Sequence, residues 1–324
     1  MIKLCAANGP EAEPLDDDIS IALKKKIIAA WPVVKNPDNF PGPQPVSMER
    51  EYMWKLGKHP YSVCEKTDGM RYFLVASEGI CALVDRAFRF YKVAVKLDPD
   101  YERALSILDG EMVCDKYDSS WTFYAYDSVA VRGQNCAKER LDKRLDCIAK
   151  FVSSVAESPF RIKVKRFWRL NEISTMLASL AETPLRHESD GLIFTPSGLS
   201  VGTGTQMSLI KWKPSGKHTF DFKVVVKRGP SSTRYDLFSS DRGRTVKHLS
   251  INERTKAGRT FHHKYKEITG ASSAIVECSY SNGNYIPILV RADKTHPNSI
   301  RTVEKTHLNI EENITINDIV ELTK

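Results

Sequence analysis

The 324-residue sequence has no CxxC pair, no apolar run near the roughly 20 residues of a membrane span, and no charged-then-apolar leader. Its seven cysteines, Cys5, Cys64, Cys81, Cys114, Cys136, Cys147 and Cys278, are odd in number and scattered. That excludes a disulfide framework and offers no zinc-ligand spacing. Internal repeats and low-complexity segments are also missing, so no solenoid or biased tail is expected. These absences predict a reducing intracellular setting, nucleus or cytoplasm, and no membrane partner.

What is present is ordinary in amount and telling in order. Hydrophobic residues make up 41% and charged residues 27%, too apolar for general disorder. The length suggests two domains. A formal net charge of +8 favours polyanions such as nucleotides or RNA, although charge alone names no partner.

Residues 16–30 place Asp at an N-cap and Ile19, Leu23 and Ile27 at helical spacing, which predicts a first helix. The proline-rich stretch WPVVKNPDNFPGPQPVSMER reads as extended. From Tyr61, the runs YSVCEK, RYFLVAS, ICALVDR, FRFYKV, SILDGEMV and TFYAYDSVAV are short, β-branched or aromatic, and predict a mostly antiparallel sheet system. Leu141, Leu145, Ile148, Val152 and Val155 mark a helix. After Pro214 the texture becomes strands without long helices, with turns at Arg228-Gly229-Pro230, Asp241-Arg242-Gly243 and Asn282-Gly283. Five short strands in about 90 residues suit a small barrel such as the OB-fold. Thr315 or Asn317 caps a final short helix.

Chemistry concentrates in a few segments. Glu65-Lys66-Thr67-Asp68-Gly69-Met70-Arg71 presents an amine at the end of a predicted strand, followed by Asp-Gly for a turn. To attack phosphorus the amine must lose a proton, and Arg71, Arg86, Lys211 and Lys213 are cations that could favour this. Asp109-Gly110-Glu111, Tyr126-Asp127 and Glu188-Ser189-Asp190-Gly191 supply hard oxygen ligands for Mg²⁺ and acceptors for ribose hydroxyls, or are plain β-turns. Lys211-Trp212-Lys213 sets two lysines on one strand face, which suits a phosphate or a solvated edge. Arg291 and Lys294, three apart, can grip neighbouring phosphate oxygens.

In order and spacing these segments resemble the covalent nucleotidyltransferase superfamily of mRNA capping enzymes and ATP-dependent ligases. Lys66-Thr67-Asp68-Gly69-Met70-Arg71 is similar to the KTDGxR of capping guanylyltransferases, and Asp85-Arg86 through Tyr91 to their DRxxxxY. Asp190-Gly191-Leu192-Ile193-Phe194-Thr195-Pro196 is similar to their DGLIFTP, and Arg291 through Asn298 to their RxDKxxPN. The flanks, from Pro41-Gly42-Pro43-Gln44-Pro45-Val46 to LNIEENITINDIVEL, look like the compact stand-alone capping enzymes of large DNA viruses of algae.

The resemblance implies an α+β fold: a nucleotidyltransferase domain with antiparallel sheets, ATP-grasp-like and of the ligase and capping type, plus a C-terminal OB-fold. The expected domains are 1–218, with 313–324 packing back as a helix, and 219–312. It implies a guanylyltransferase in which Lys66 takes GMP from the substrate GTP, releases pyrophosphate, and passes GMP to an RNA 5′-diphosphate end. Asp68, Arg71, Lys211, Lys213, Arg291 and Lys294 join Lys66 as catalytic residues, and Asp190 supports Mg²⁺ or Mn²⁺. GTP binding falls to Glu65, Thr67, Arg86, Glu111, Tyr126, Lys165, Ile193, Asp221 and Asp293, with Tyr126 and Ile193 sandwiching the purine and Lys165 reading guanine. Closure of the second domain brings Arg291 and Lys294 to the β and γ phosphates. No segment resembles an RNA triphosphatase or a methyltransferase, so both are expected as separate partners. A polynucleotide ligase using ATP, or a catalytically silent RNA-binding scaffold, remains the alternative.

Overall fold

The computed structural model describes residues 1–31, 33–34, 36–292 and 294–323. Helix α1 (Asp17–Ala30) starts as its sequence predicts: the Asp16 side chain accepts from the Asp18 N–H, and Leu23, Ile27 and Ala30 are buried. The proline-rich stretch holds a strand, Gln44–Ser47, and runs directly into an unpredicted helix, Arg50–Lys58. Beyond the last proline nothing there blocks a helix, and Tyr52 and Leu56, four residues apart, bury on one side.

Strand β1 (Tyr61–Thr67) is followed by β2 (Met70–Ser77), β3 (Ile80–Asp85), β4 (Phe90–Lys92), β5 (Ser106–Cys114) and β6 (Trp121–Val131). All six coincide with the β-branched and aromatic runs read from the sequence. In the nine-stranded sheet β4, β3, β2, β5 and β6 are antiparallel neighbours, and β7 (Arg161–Val164) joins β6 in parallel. β1 belongs to another sheet, pairing with β8 (Ser189–Pro196), which pairs in turn with β9 (Thr205–Trp212). Asp68-Gly69 is therefore a crossing between two sheets. The glycine there has no positive φ; a Cβ would stand 2.4 Å from the Met112 carbonyl oxygen, so its role is close approach to β5.

Helix α2 (Leu141–Ser153) covers the large sheet, burying Leu141, Ile148 and Phe151. The expected apolar stripe is shifted: Leu145 and Val152 only flank the core, Val155 starts a short strand, and Arg144 is buried. Arg144 reaches Asp127 at 2.6 Å and donates to the Leu199 carbonyl, so Asp127 is a structural ion-pair partner.

The second region holds five antiparallel strands, β10 (Thr219–Arg228), β11 (Thr233–Asp241), β12 (Arg244–Asn252), β13 (Ser273–Ser281) and β14 (Asn284–Val290), in the order β12-β11-β10-β13-β14. A meander of three strands, a helix, and a hairpin returning to the first strand is the OB topology. The connecting helix α3 (Lys256–Ile268) and the later helix α4 (Ile300–Glu312) correct the expectation of strands without long helices. Their apolar stripes are sparse: Phe261 and Tyr265 anchor α3, Val303 and Ile310 contribute from α4, and all meet Phe220, Phe222 and Leu237 in the barrel core. The hairpin turns have φ of +45° and +80° at Arg242-Gly243 and +49° and +76° at Asn282-Gly283, as two-residue type I′ turns require.

The chain divides into two compact units, Met1–Val46 with Tyr52–Trp212 and Val320–Lys324, and Ser47–Glu51 with Lys213–Ile319. The closing helix, Ile316–Glu321, begins where the Thr315 hydroxyl accepts from the Asp318 N–H.

Candidate active site

Lys66 sits one residue from the end of β1. Gly191 lies opposite it on β8, and the register slips between Ser189 and Gly191, leaving Asp190 as the extra residue of a β-bulge. A bulge re-aims the side chain it carries. Here it brings the Asp190 carboxylate to 2.7 Å from the Lys66 ammonium. Ile193 pairs with Cys64 on one side and Lys211 on the other. The two-residue period of the strands then puts Lys66, Ile193 and Lys211 on one sheet face. β9 ends at Trp212, and Lys213 falls in the second unit, so the paired-strand reading covers Lys211 alone.

Glu65 and Thr67 point to the other face and are buried. There the Lys165 ammonium, itself 3% exposed, meets Glu65 at 2.6 Å and donates to the Thr67 hydroxyl. The His187 ring lies 3.4 Å from the same carboxylate and 4.9 Å from the Tyr124 ring. Burial alone would raise the Glu65 pKa, but the His187 contact and the Lys165 charge outweigh it and hold the carboxyl below its ordinary value.

Across the sheet crossing, Arg71 on β2 faces Glu111 on β5. Each of its three guanidinium nitrogens donates once, two to Asp109 at 2.9 and 2.6 Å and one to the Pro43 carbonyl at 2.7 Å. The opposite charge on Asp109 outweighs burial and raises the Arg71 pKa. Tyr126 is the extra residue of a second bulge, on β6, and its hydroxyl donates to Asp109 at 2.9 Å. Burial pushes its phenol pKa well up. Glu111 accepts from the Gly69 N–H at 3.2 Å, and burial raises its carboxyl pKa despite the opposing charge of Lys66.

Arg86 is exposed and donates to the Gln44 side chain at 3.2 Å. The loop bearing it is built by its neighbours: Asp85 accepts from the N–H groups of Ala87 and Arg89, from the Arg89 side chain and from the Tyr91 hydroxyl. That ring of bonds is the physical content of the DRxxxxY spacing. Asp68 is exposed, its backbone N–H donating to the Glu188 carbonyl.

In the second unit Asp221 on β10 gathers the remaining residues. Arg291 lies 3.2 Å from its carboxylate, the Lys294 ammonium pairs with it, and the Asn298 amide donates to it at 3.3 Å. Arg291 also reaches Glu277, opposite Asp221 on β13, at 3.1 Å. Asp293 lies outside the described residues. Sequence reading missed Gln44, His187, Glu277 and Asn298 as partners; Gln44 and Asn298, inside segments that carry the family resemblance, had a visible signal, and His187 and Glu277 had none. Among the described residues no group of three or more His, Cys, Asp or Glu could hold a metal by itself, and no helix is long and apolar enough to cross a membrane.

The chain was compared with known proteins. The family model described as mRNA capping enzyme, catalytic domain, matches residues 12–215, and that described as mRNA capping enzyme, C-terminal domain, matches residues 209–320. The mRNA-capping enzyme subunit alpha of Schizosaccharomyces pombe is 29% identical over 348 residues, covering 94% of this chain and 84% of that protein. The mRNA-capping enzyme of Mus musculus is 26% identical over 283 residues, which cover 81% of this chain and 46% of the mouse protein. A solved mycobacterial DNA ligase D complexed with ATP and MES covers 79% of this chain and 96% of its own, with a TM-score of 0.44 at 13% identity, a likeness too slight to bear on fold or function.

Proposed function

The chain belongs to the mRNA capping enzyme family, and from that premise we propose how its residues carry out guanylyl transfer. It is an mRNA guanylyltransferase with GTP as substrate. In the first step the Lys66 amine attacks the α-phosphorus. The Nζ–P bond forms, the bond from that phosphorus to the bridging oxygen breaks, and pyrophosphate leaves with the electron pair. In the second step an oxygen of an RNA 5′-diphosphate attacks the same phosphorus, the Nζ–P bond breaks, and the amine regains a proton as GpppN departs.

The observation that carries this reading is the Lys66–Asp190 pair at 2.7 Å, on the sheet face that also bears Ile193 and Lys211. Asp190 fixes the position of the amine. Lys211 and Lys213 are assigned to charge on the α-phosphate. Ile193 and Tyr126 are assigned to the purine, and Glu111 and Arg86 to the ribose. Arg71 works as a positioning residue, holding Asp109 and through it Tyr126. Glu65 and Thr67 hold Lys165, the residue assigned to guanine. Arg291 and Lys294 are assigned to the β and γ phosphates, with Asp221 holding both until phosphate arrives.

Mg²⁺ or Mn²⁺ fits at Asp190. Such hard cations take one or two carboxylates and complete their shell with substrate phosphates and water, and Asp190 is a partly exposed carboxylate beside the nucleophile. Bound there, the cation would neutralise phosphate charge.

Closeness to the stand-alone enzymes of algal large DNA viruses rests on the flanking segments, and capping by the purified chain without added subunits tests it. A separate triphosphatase would prepare the RNA end and a methyltransferase would finish the cap, in nucleus or cytoplasm. The deciding experiment incubates the protein with Mg²⁺ and α-labelled GTP or ATP. Label from GTP stays covalently bound and vanishes in Lys66→Ala; label from ATP alone would make the chain a ligase, and label from neither would make it a binding scaffold.

A further inference from the structure

The positive charge of this chain is not spread over it. Residues 223–267 hold twelve lysines and arginines against four acidic residues, a surplus of eight that equals the whole chain's +8. The remainder, Lys66 and its surroundings included, is balanced.

Strand register shows where much of that surplus goes. On β10 the core takes Phe220, Phe222 and Val224, so Asp221, Lys223, Val225 and Lys227 lie on the opposite face. Opposite Lys223 on β11 is Phe238, opposite Val225 is Asp236, and opposite Lys227 is Arg234. Phe238 in turn faces Lys247 on β12. One outer face thus carries Lys223, Lys227, Arg234 and Lys247. Lys227, Arg234 and Lys247 reach the buried Asp236 at 3.0, 3.2 and 3.0 Å, yet their side chains stay about half exposed. One carboxylate cannot neutralise three cations. Half-buried Phe238 stands between Lys223 and Lys247 on the same face. The row starts two residues from Asp221, which holds Arg291 and Lys294.

We propose that this outer face of the five-stranded sheet, Lys223, Lys227, Arg234, Phe238 and Lys247, binds the single-stranded backbone of the RNA whose 5′ end is capped. The inference rests on the guanylyltransferase reading and extends it to the substrate beyond its first nucleotides. A cationic groove with an interleaved aromatic is the usual chemistry for unpaired RNA, with the charges on phosphates and the ring against a base. Strands two and three of an OB sheet, here β11 and β12, are a common nucleic-acid face.

The test uses the full chain with Lys223, Lys227 and Lys247 all changed to Ser. Arg234 is kept so that Asp236 always retains a cation. A control removes the same charge from exposed Lys138, Lys143 and Lys150. Binding of a fluorescent 5′-diphosphate oligoribonucleotide of about 20 nucleotides is measured by anisotropy across a salt series. Each single-strand phosphate contact contributes a slope near 0.7, or about fourfold at 0.15 M salt, so the face variant loses roughly 50-fold in affinity and about 2 in slope. Phe238→Ala loses about tenfold with the slope kept. GMP loading of Lys66 and transfer to a 5′-diphosphate dinucleotide stay at the native level in both triple variants, which also certifies folding. Equal losses in the face and control variants would reduce the effect to net charge and overturn the proposal. So would undiminished RNA binding, which would turn the face toward an acidic protein instead. Failure of the native chain to load GMP would instead refute the guanylyltransferase reading, since anisotropy reads RNA binding without chemistry.

Discussion

Two groups of cations in this chain rest on carboxylates, and they do so differently. In the first unit the pairing is one to one: Lys66 with Asp190, Arg71 with Asp109, Lys165 with Glu65. In the second, Asp221 gathers Arg291, Lys294 and Asn298, and Arg291 is shared with Glu277. A buried carboxylate with one cation is uncompensated once that cation is removed, and the penalty is large. One with several donors can release a cation to a phosphate and stay satisfied. The first arrangement suits fixed geometry, and the second suits exchange between a resting partner and a substrate.

The largest expected effect breaks a one-to-one pair. Asp109→Ala strands the Arg71 guanidinium, and denaturant unfolding should show a loss of about 4 kcal/mol; a loss below about 1 kcal/mol would erase the contrast. Next, Glu65→Gln costs about 3 kcal/mol at neutral pH, and Glu65→Gln with Lys165→Met recovers most of it. The sign of its pH dependence follows from a carboxyl held below its ordinary value in the fold. The stabilisation is complete above the unfolded pKa, near 4.3, and disappears as pH falls through the folded one. The variant should therefore lose part of the native acid limb in a stability-versus-pH series. The shared cluster behaves otherwise: Arg291→Ala lowers GMP loading from GTP about a hundredfold, with stability within about 1 kcal/mol of native because Asp221 keeps Lys294. Discharge of GMP from loaded enzyme stays intact, and equal loss in both half-reactions would remove Arg291 from the pyrophosphate end. Smallest is Arg86→Ala, at an exposed arginine: stability moves by under about 0.5 kcal/mol while KM for GTP rises several-fold with kcat kept.

The strands β1 to β6 were legible because they are short β-branched and aromatic runs set between turn residues, and α1 because an acidic cap precedes apolar residues at helical spacing. The Arg50–Lys58 helix was hidden by the prolines before it, and α3 and α4 by stripes too sparse to outweigh their polar residues. The site was legible where chemistry is local, as in Lys66-Thr67-Asp68-Gly69, or where family resemblance joined distant segments. Asp190 lies 124 residues from Lys66, and no periodicity connects them. His187 and Glu277 were invisible for another reason: a buried polar group is defined by what surrounds it, and a strand pattern such as SAIVECSY is silent on which carboxylate meets an arginine.

The two bulges, at Asp190 and Tyr126, carry a consequence for how this sequence can change length. Each is a single surplus residue set between pairs whose partners are consecutive on the opposite strand. Deleting Asp190 or Tyr126 would therefore leave the flanking pairs in register and remove only the side chain that the bulge re-aims. Lys66 would lose its carboxylate, or Asp109 its hydroxyl donor, from a ladder made regular. At these two points irregularity, rather than pairing, is what the proposed chemistry requires.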